Sequence, residues 1–317
     1  MAQVTAYNNF INGAWVPAKS GETFENRNPA RTSDLIGTFA ASSREDVDAA
    51  VAAAEAAFPA WRAMSAIARA NILYKAAELL FARAPEIGAE LTREEGKTLK
   101  EGIGETTRAA QILRYFAGEA QQPNGEHYPS MNPSTLLYTV REPIGVSAMI
   151  TPWNFPIAIP AWKISPALAF GNTVVLKPAS LTPLCAVRLM EVLQEAGVPN
   201  GVVNLVTGSA GEVGDPLVRD PRVALISFTG SNAVGNELKK VAAERGAKLQ
   251  LELGGKNPAI VLADADLDHA VTHLINGAMM STGQKCTATS RAIVDRTIAS
   301  AVTEKLRQRV GALVVGD

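Results

Sequence analysis

At 317 residues the chain is longer than one ordinary hydrophobic core supports, so two domains are expected. Hydrophobic residues make up 47% and charged residues 19%, the composition of a soluble globular protein. With 30 basic against 31 acidic residues the net charge is −1, so bulk charge draws in neither nucleic acid nor an anionic membrane.

The opening MAQVTAYNNFINGAWV lacks a basic segment followed by an apolar run, so no secretory signal is expected. The longest apolar stretch, 146–169, is broken by Pro152, Pro156, Pro160 and Pro166 and carries Lys163, which excludes a spanning helix. Two isolated cysteines, Cys185 and Cys286, do not make a disulfide framework. A reducing cytoplasm is the expected compartment, and in it a thiol can be kept for reactivity.

In chain order, Phe10-Ile11 and Ala14-Trp15-Val16 flank Asn12-Gly13, a hairpin signal. Ser43 with Asp46 marks a helix start, and helical patterns continue through 69–83, 84–95 and 100–121. A Pro/Asn/Gly cluster at 123–133 precedes LLYTVREPIGV, which reads as strand. Together these predict a projecting hairpin. From 146 the rhythm becomes β-α-β: strands at 146–150, 173–176, 202–206, 224–228 and 249–253 alternate with helices at 157–170, 182–196, 212–218 and 233–244. That alternation predicts a parallel sheet with helices on both faces and a ligand site beyond the carboxyl ends of its strands. The stretches there are TPWN, KPAS, TGSAG, FTGS and ELGG. A second α/β unit starts at 257–262. The chain stops at VVGD inside that unit, as a truncated version of a longer protein would.

Cys286, in STGQKCTATSR, is preceded by small residues and Lys285, a setting that can favour a thiolate. Cys185 sits among apolar residues at helical spacing and reads as core. Glu252 follows the strand KLQLEL and precedes Gly254-Gly255, where a carboxylate can activate water or simply be solvated. Asn154 lies between prolines in TPWNFP, a rigid carboxamide suited to an oxyanion or to a turn. Lys177 ends a strand at the sheet edge. Gly230 and Ser231 open a helix whose N–H groups can meet a pyrophosphate, although GxGxxG is absent. His269 and His273 have metal-ligand spacing without a third ligand, so no metal is expected.

FINGAW, REPIGV, TPWNFP, GNTVVLKPAS, GVPNGVVNLVTG, ISFTGS, LELGGKNP and GQKCTATSR occur in the order found in the aldehyde dehydrogenase superfamily. The chain resembles the amino-terminal two-thirds of that family throughout. The resemblance implies an α/β fold: a Rossmann-like cofactor domain (1–122 and 146–253), an oligomerisation hairpin (123–145) and a partial catalytic domain (254–317). It implies Cys286 as nucleophile, Asn154 and the Cys286 N–H as oxyanion donors, and Glu252 as general base for thioester hydrolysis. Trp153, Lys177, Ser180, Gly214, Gly230, Ser231 and Leu253 would line the cofactor, NAD or NADP. Strongly NAD-selective relatives often carry glutamate where this chain has Ser180, so a 2′-phosphate has room.

The wording of IAIPAWKISPAL and GQKCTATSR is closest to α-ketoglutaric semialdehyde dehydrogenases. Succinate semialdehyde dehydrogenases are similar, but many carry arginine in place of Trp162. The implied reaction is oxidation of a small semialdehyde to its carboxylate, in a parent protein that is a homodimer or homotetramer. A cofactor-independent thiol esterase and an inactive cofactor-binding fragment are the alternatives.

Overall fold

The computed structural model describes residues 4–316. The chain opens with β1 (Ala6–Tyr7), β2 (Asn9–Ile11), β3 (Ala14–Val16), β4 (Thr23–Arg27) and β5 (Leu35–Ala40). Four helices follow: α1 (Arg44–Ala63), α2 (Ala66–Ala82), α3 (Ala84–Glu95) and α4 (Leu99–Glu119). A small hairpin, β6 (His127–Tyr128) and β7 (Leu137–Tyr138), leads into the alternating region. That region comprises β8 (Val146–Ile150), α5 (Ala158–Ala169), β9 (Thr173–Lys177), α6 (Leu184–Ala196), β10 (Val203–Leu205), α7 (Asp215–Arg219), β11 (Val223–Gly230), α8 (Asn232–Arg245) and β12 (Lys248–Leu253). The last unit holds β13 (Asn257–Val261), α9 (Leu267–Met279), β14 (Thr289–Val294) and α10 (Ala299–Gly311).

The main sheet has seven strands in the order β12-β11-β8-β9-β10-β2-β3, with β8 to β12 parallel and the opening hairpin added antiparallel at one edge. That hairpin turns through Asn12 and Gly13, both at positive φ (51° and 79°), as a two-residue turn requires. A Cβ on Gly13 would lie 2.0 Å from Asn200 Oδ1, so glycine is also needed for the close approach.

Alternation along the strands divides the core. Met149, Val174, Leu176, Val203 and Leu205 pack with α2 to α6, whereas Val146, Ala148, Val175, Ile226 and Phe228 pack with α1, α7 and α8. Strands β13 and β14 pair parallel and share a smaller core with α9 and α10, around Val261, Val271, Leu274 and Val302. Among the described residues no helix is long and apolar enough to cross a membrane.

Two expectations are corrected. Only Leu137 and Tyr138 of LLYTVREPIGV pair as a strand before β8, because their partner β6 is two residues long and Pro143 interrupts the run. The segment expected as one helix over 212–218 is instead a π-helical turn, Ala210–Gly214, followed by the short α7, whose Pro216 sits at its start. The expected Ser43/Asp46 capping box is present on α1, with the Ser43 N–H donating to Asp46 Oδ2 at 2.9 Å.

Helices α5 and α6 start in proline-bearing segments, and neither has a side-chain cap of its own. Buried carboxylates from elsewhere take that place. Glu105 Oε1 accepts from the Ile157 and Ala158 N–H groups, each at 3.1 Å. The Leu184 and Cys185 N–H groups donate to Glu94 at 2.6 and 3.1 Å. Both answer the unpaired donors and positive end of a helix. Glu105 Oε2 also accepts from Lys97 Nζ at 2.5 Å, and the same ammonium donates to the Asn154 carbonyl at 3.0 Å and lies over the Phe155 ring. Burial pushes both carboxyls up, Glu94 to about 7, against the pull of these donors. Helices α3 and α4, which bring these groups, touch backbone to backbone: a Cβ on Gly102 would lie 2.3 Å from the Gly88 carbonyl oxygen.

Two outcomes follow from these buried charges. Between about pH 4.5 and pH 7 the native Glu94 keeps a proton that the unfolded chain has released, so stability falls as pH rises through that window. Relative to Glu94→Gln, the wild type loses about 3 kcal/mol across it, read from denaturant unfolding below and above the window; parallel pH profiles would refute this. Lys97→Met leaves Glu105 without its cation and costs about 3–5 kcal/mol, of which the double variant with Glu105→Gln recovers most. A loss below about 1 kcal/mol in the same unfolding experiment would refute the pair's role.

Candidate active site

The parallel register aligns the carboxyl ends of the strands: Ile150 lies beside Lys177, Phe228 beside Ile150, and Gly230 beside Leu253. On β12 the exposed residues Lys248, Gln250 and Glu252 alternate with half-buried Leu249, Leu251 and Leu253. The leucines pack toward α8. Gln250 and Glu252 point to the other face, opposite Ser227 and Thr229 of β11. There a cavity of about 520 Å³ opens between these strands and α5. Its wall includes Met149, Ile159, Trp162, Lys163, Ser227, Thr229, Glu252 and Cys286.

A polar chain runs along the sheet side of this cavity. Lys163 Nζ donates to Ser227 Oγ at 2.8 Å, the Ser227 hydroxyl donates to Gln250 Oε1, and Gln250 Nε2 donates to Glu252 Oε1 at 3.2 Å. Burial lowers the Lys163 ammonium to about 8, with Glu252 opposing the shift. Lys163, Ser227 and Gln250 are not among the residues expected from sequence. Their signals are a lone cation in the apolar run AWKISPAL and the period-two alternation in ISFTG and KLQLEL.

Cys286 arrives from the second unit. After α9 the chain makes a tight turn, Met280–Gly283, in which Ser281, Thr282 and Gly283 all have positive φ (52°, 52° and 72°). Three side chains from different elements hold this loop. Glu101 Oε1 of α4 accepts from the Ser281 N–H at 2.7 Å, Asn154 Nδ2 donates to the Gln284 carbonyl at 2.6 Å, and Asn257 Nδ2 donates to the Cys286 carbonyl at 2.6 Å. Burial raises the Glu101 carboxyl, but the donors from Ser281 and Thr98 outweigh it and hold it below the usual range. The Cys286 side chain is exposed and in the cavity wall with Glu252, whereas Cys185 is fully buried and its thiol is pushed well up.

Asn154 does not line the cavity; its amide nitrogen braces the Cys286 loop, and its Oδ1 is buried with no partner among the described residues. The remaining expected residues lie around the carboxyl edge of the sheet. Lys177 is buried, donates to the Pro178 carbonyl at 3.0 Å and is lowered to about 8 by burial. Gly214 lies against its stem: a Cβ there would sit 3.7 Å from Lys177 Cδ. Ser180 Oγ donates to the Gly208 carbonyl at 2.8 Å. Gly230 ends β11, and Ser231 caps α8, its Oγ accepting from the Val234 N–H. The Trp153 carbonyl accepts from Thr182 Oγ1, and Leu253 packs on Gly235 of α8, on the sheet face opposite Glu252. The rings of His269 and His273 lie with centroids 4.3 Å apart, tilted by 57°.

Comparison with known proteins places the chain in a family. The Aldehyde dehydrogenase family model matches residues 15–317. The chain is 48% identical over 317 residues to the alpha-ketoglutaric semialdehyde dehydrogenase of Bacillus subtilis, covering all of this chain and 65% of that protein. It is 42% identical over 307 residues to the NADP(+) succinate-semialdehyde dehydrogenase GabD of Escherichia coli, covering 97% of this chain and 64% of that one. Among solved structures, an E. coli NADP dependent enzyme superposes with a TM-score of 0.96 at 41% identity, covering 98% of this chain and 65% of that one. Betaine aldehyde dehydrogenase from Staphylococcus aureus in complex with NAD+ gives 0.95 at 36% identity, covering 98% and 62%. The chain thus spans about 65% of the length of such relatives. With a family match over nearly its whole length and a thiol and a carboxylate facing one cavity, the chain belongs to the aldehyde dehydrogenase family.

Proposed function

We propose that the protein oxidises a small semialdehyde to its carboxylate with NAD or NADP, the substrate being α-ketoglutaric semialdehyde. The observation that carries this reading is the shared cavity, with an exposed Cys286 on one side and Glu252 on the other. Cys286 Sγ attacks the aldehyde carbon, and loss of hydride from that carbon leaves a thioester on the sulfur. The Cys286 backbone N–H stabilises the oxyanion, and Asn154 Nδ2 positions that N–H by holding the Gln284 carbonyl of the same loop. Glu252 takes a proton from a water that breaks the carbon–sulfur bond, releasing the acid and the thiolate. Lys163, through Ser227 and Gln250, orients the Glu252 side chain.

The sheet edge fits a dinucleotide. Lys177 is a buried ammonium with one carbonyl partner among the described residues, a donor set suited to a ribose or phosphate. Gly230, Ser231 and the start of α8 offer backbone N–H groups to a pyrophosphate. Ser180, Gly214, Trp153 and Leu253 complete that surface. Bound there, NAD or NADP supplies the hydride acceptor.

In this reading residues 1–122 and 146–253 bind the cofactor and 254–317 begin the catalytic domain. Residues 123–145 form an oligomerisation hairpin, on which Tyr128, Met131, Leu137 and Tyr138 are exposed. The parent protein is then a homodimer or homotetramer. The acidic semialdehydes named for relatives from Bacillus subtilis, Haloferax volcanii and Pseudomonas putida support the substrate class.

Reduced-nicotinamide absorbance with α-ketoglutaric semialdehyde tests the proposal. Turnover disappears in Cys286→Ala. Glu252→Gln keeps a first-turnover burst but slows the steady state about a hundredfold or more. Product release that needs no NAD or NADP would overturn the reading in favour of an esterase.

A further inference from the structure

We propose that Arg108, with Gln111 beside it, receives the distal carboxylate of the substrate and so selects an acidic semialdehyde over a neutral aldehyde. This rests on the semialdehyde reading above.

The cavity wall beyond the reacting groups is mostly apolar: Met149, Ile159, Trp162, Pro166, Phe170 and Leu225. A carboxylate placed there without a cation would be desolvated and uncompensated. Lys163 is the cation in that wall, but its ammonium is bonded to Ser227 and belongs to the chain that ends on Glu252. It therefore serves the reacting end. At the far end Trp162 also lines a second cavity of about 280 Å³.

That second cavity is built by one face of α4. Arg108, Gln111, Ile112 and Tyr115 follow the i, i+3, i+4, i+7 spacing, and Phe116 and Trp162 close it. Arg108 makes no ion pair among the described residues, unlike Arg62, Arg83, Arg93, Arg188, Arg219 and Arg222. Its one hydrogen bond among them is a long one, from Nη1 to Gln111 Oε1 at 3.4 Å. That bond turns the amide NH2 of Gln111 outward beside the guanidinium. A planar cation with unused donors, an adjacent amide NH2 and apolar rings around them match a carboxylate. Arg108 and Gln111 are exposed, so these donors are open to a ligand that enters from solvent.

The test compares wild type, Arg108→Met and Arg108→Lys. Oxidation of α-ketoglutaric semialdehyde and of pentanal is followed, together with protection of Cys286 from alkylation by glutarate. In Arg108→Met we expect kcat/KM for the semialdehyde to fall at least about tenfold, through KM, with pentanal changed by less than about twofold. Arg108→Lys falls between, and glutarate protects the thiol in wild type but not in Arg108→Met. Equal losses on both aldehydes, an unaffected semialdehyde KM, or no protection of the wild-type thiol by glutarate would each overturn the anchor. Wild type that oxidises no aldehyde, yet shows glutarate protection dependent on Arg108, would defeat the oxidation reading and leave the anchor standing.

Discussion

The site is organised around one buried carboxylate. Glu105 uses Oε1 to cap α5 and Oε2 to bind Lys97, and Lys97 passes the constraint to the Asn154 carbonyl. A single residue of α4 thus sets where α5 begins and where the TPWN loop lies. Since α5 carries Ile159, Trp162 and Lys163, that choice also places one wall of the cavity. Burial raises the Glu105 carboxyl, so desolvation consumes much of what the ion pair contributes. An apolar pair of the same volume would avoid that desolvation. It would not satisfy the two N–H groups of α5 or hold a backbone carbonyl, and those bonds convert a buried charge into a geometric specification.

The second constraint is the pleat of β12. Glu252 and Leu253 are neighbours in sequence but occupy opposite faces, one toward the Cys286 cavity and the other against α8. A register slip of one residue against β11 would put leucine in the cavity and the carboxylate under a helix. Gly235 lets α8 approach closely enough to hold the register, since a Cβ there would fall 2.6 Å from Leu253 Cδ2. In the proposed reading this separates the water-activating group from the dinucleotide surface using strand geometry alone.

Much of this was legible in the chain. The β-α-β rhythm after 146 gives the parallel strands, Asn12-Gly13 gives the hairpin, and the contrast between Cys185 and Cys286 gives a buried and an exposed thiol. What escaped depends on partners distant in sequence. Glu105 and Glu94 act as caps for helices that begin 53 and 90 residues later, so no local capping pattern announces them. LLYTVREPIGV has the β-propensity of a strand, but that propensity expresses packing on a covered face, and Leu136, Leu137, Tyr138 and Val140 are exposed here. Arg108 looks like any exposed helical arginine until α5 brings Trp162 beside it.

The loop bearing Cys286 shows why the nucleophile needs so many braces. It leaves α9 in the second unit but must face a cavity built by the first. Turning it requires non-glycine residues Ser281 and Thr282 in the left-handed region, at about 1–2 kcal/mol each. Three bonds hold the turn, from Glu101 on α4, Asn154 in the TPWN loop and Asn257 on β13. Each typical net bond is worth about 1 kcal/mol, so the set offsets the backbone cost with little to spare. The position of the thiol therefore depends on both units being docked. Because Asn154 is itself held by Lys97, a disturbance at Glu105 would reach the Cys286 loop through three hydrogen bonds, in addition to its effect on the cavity wall that α5 carries.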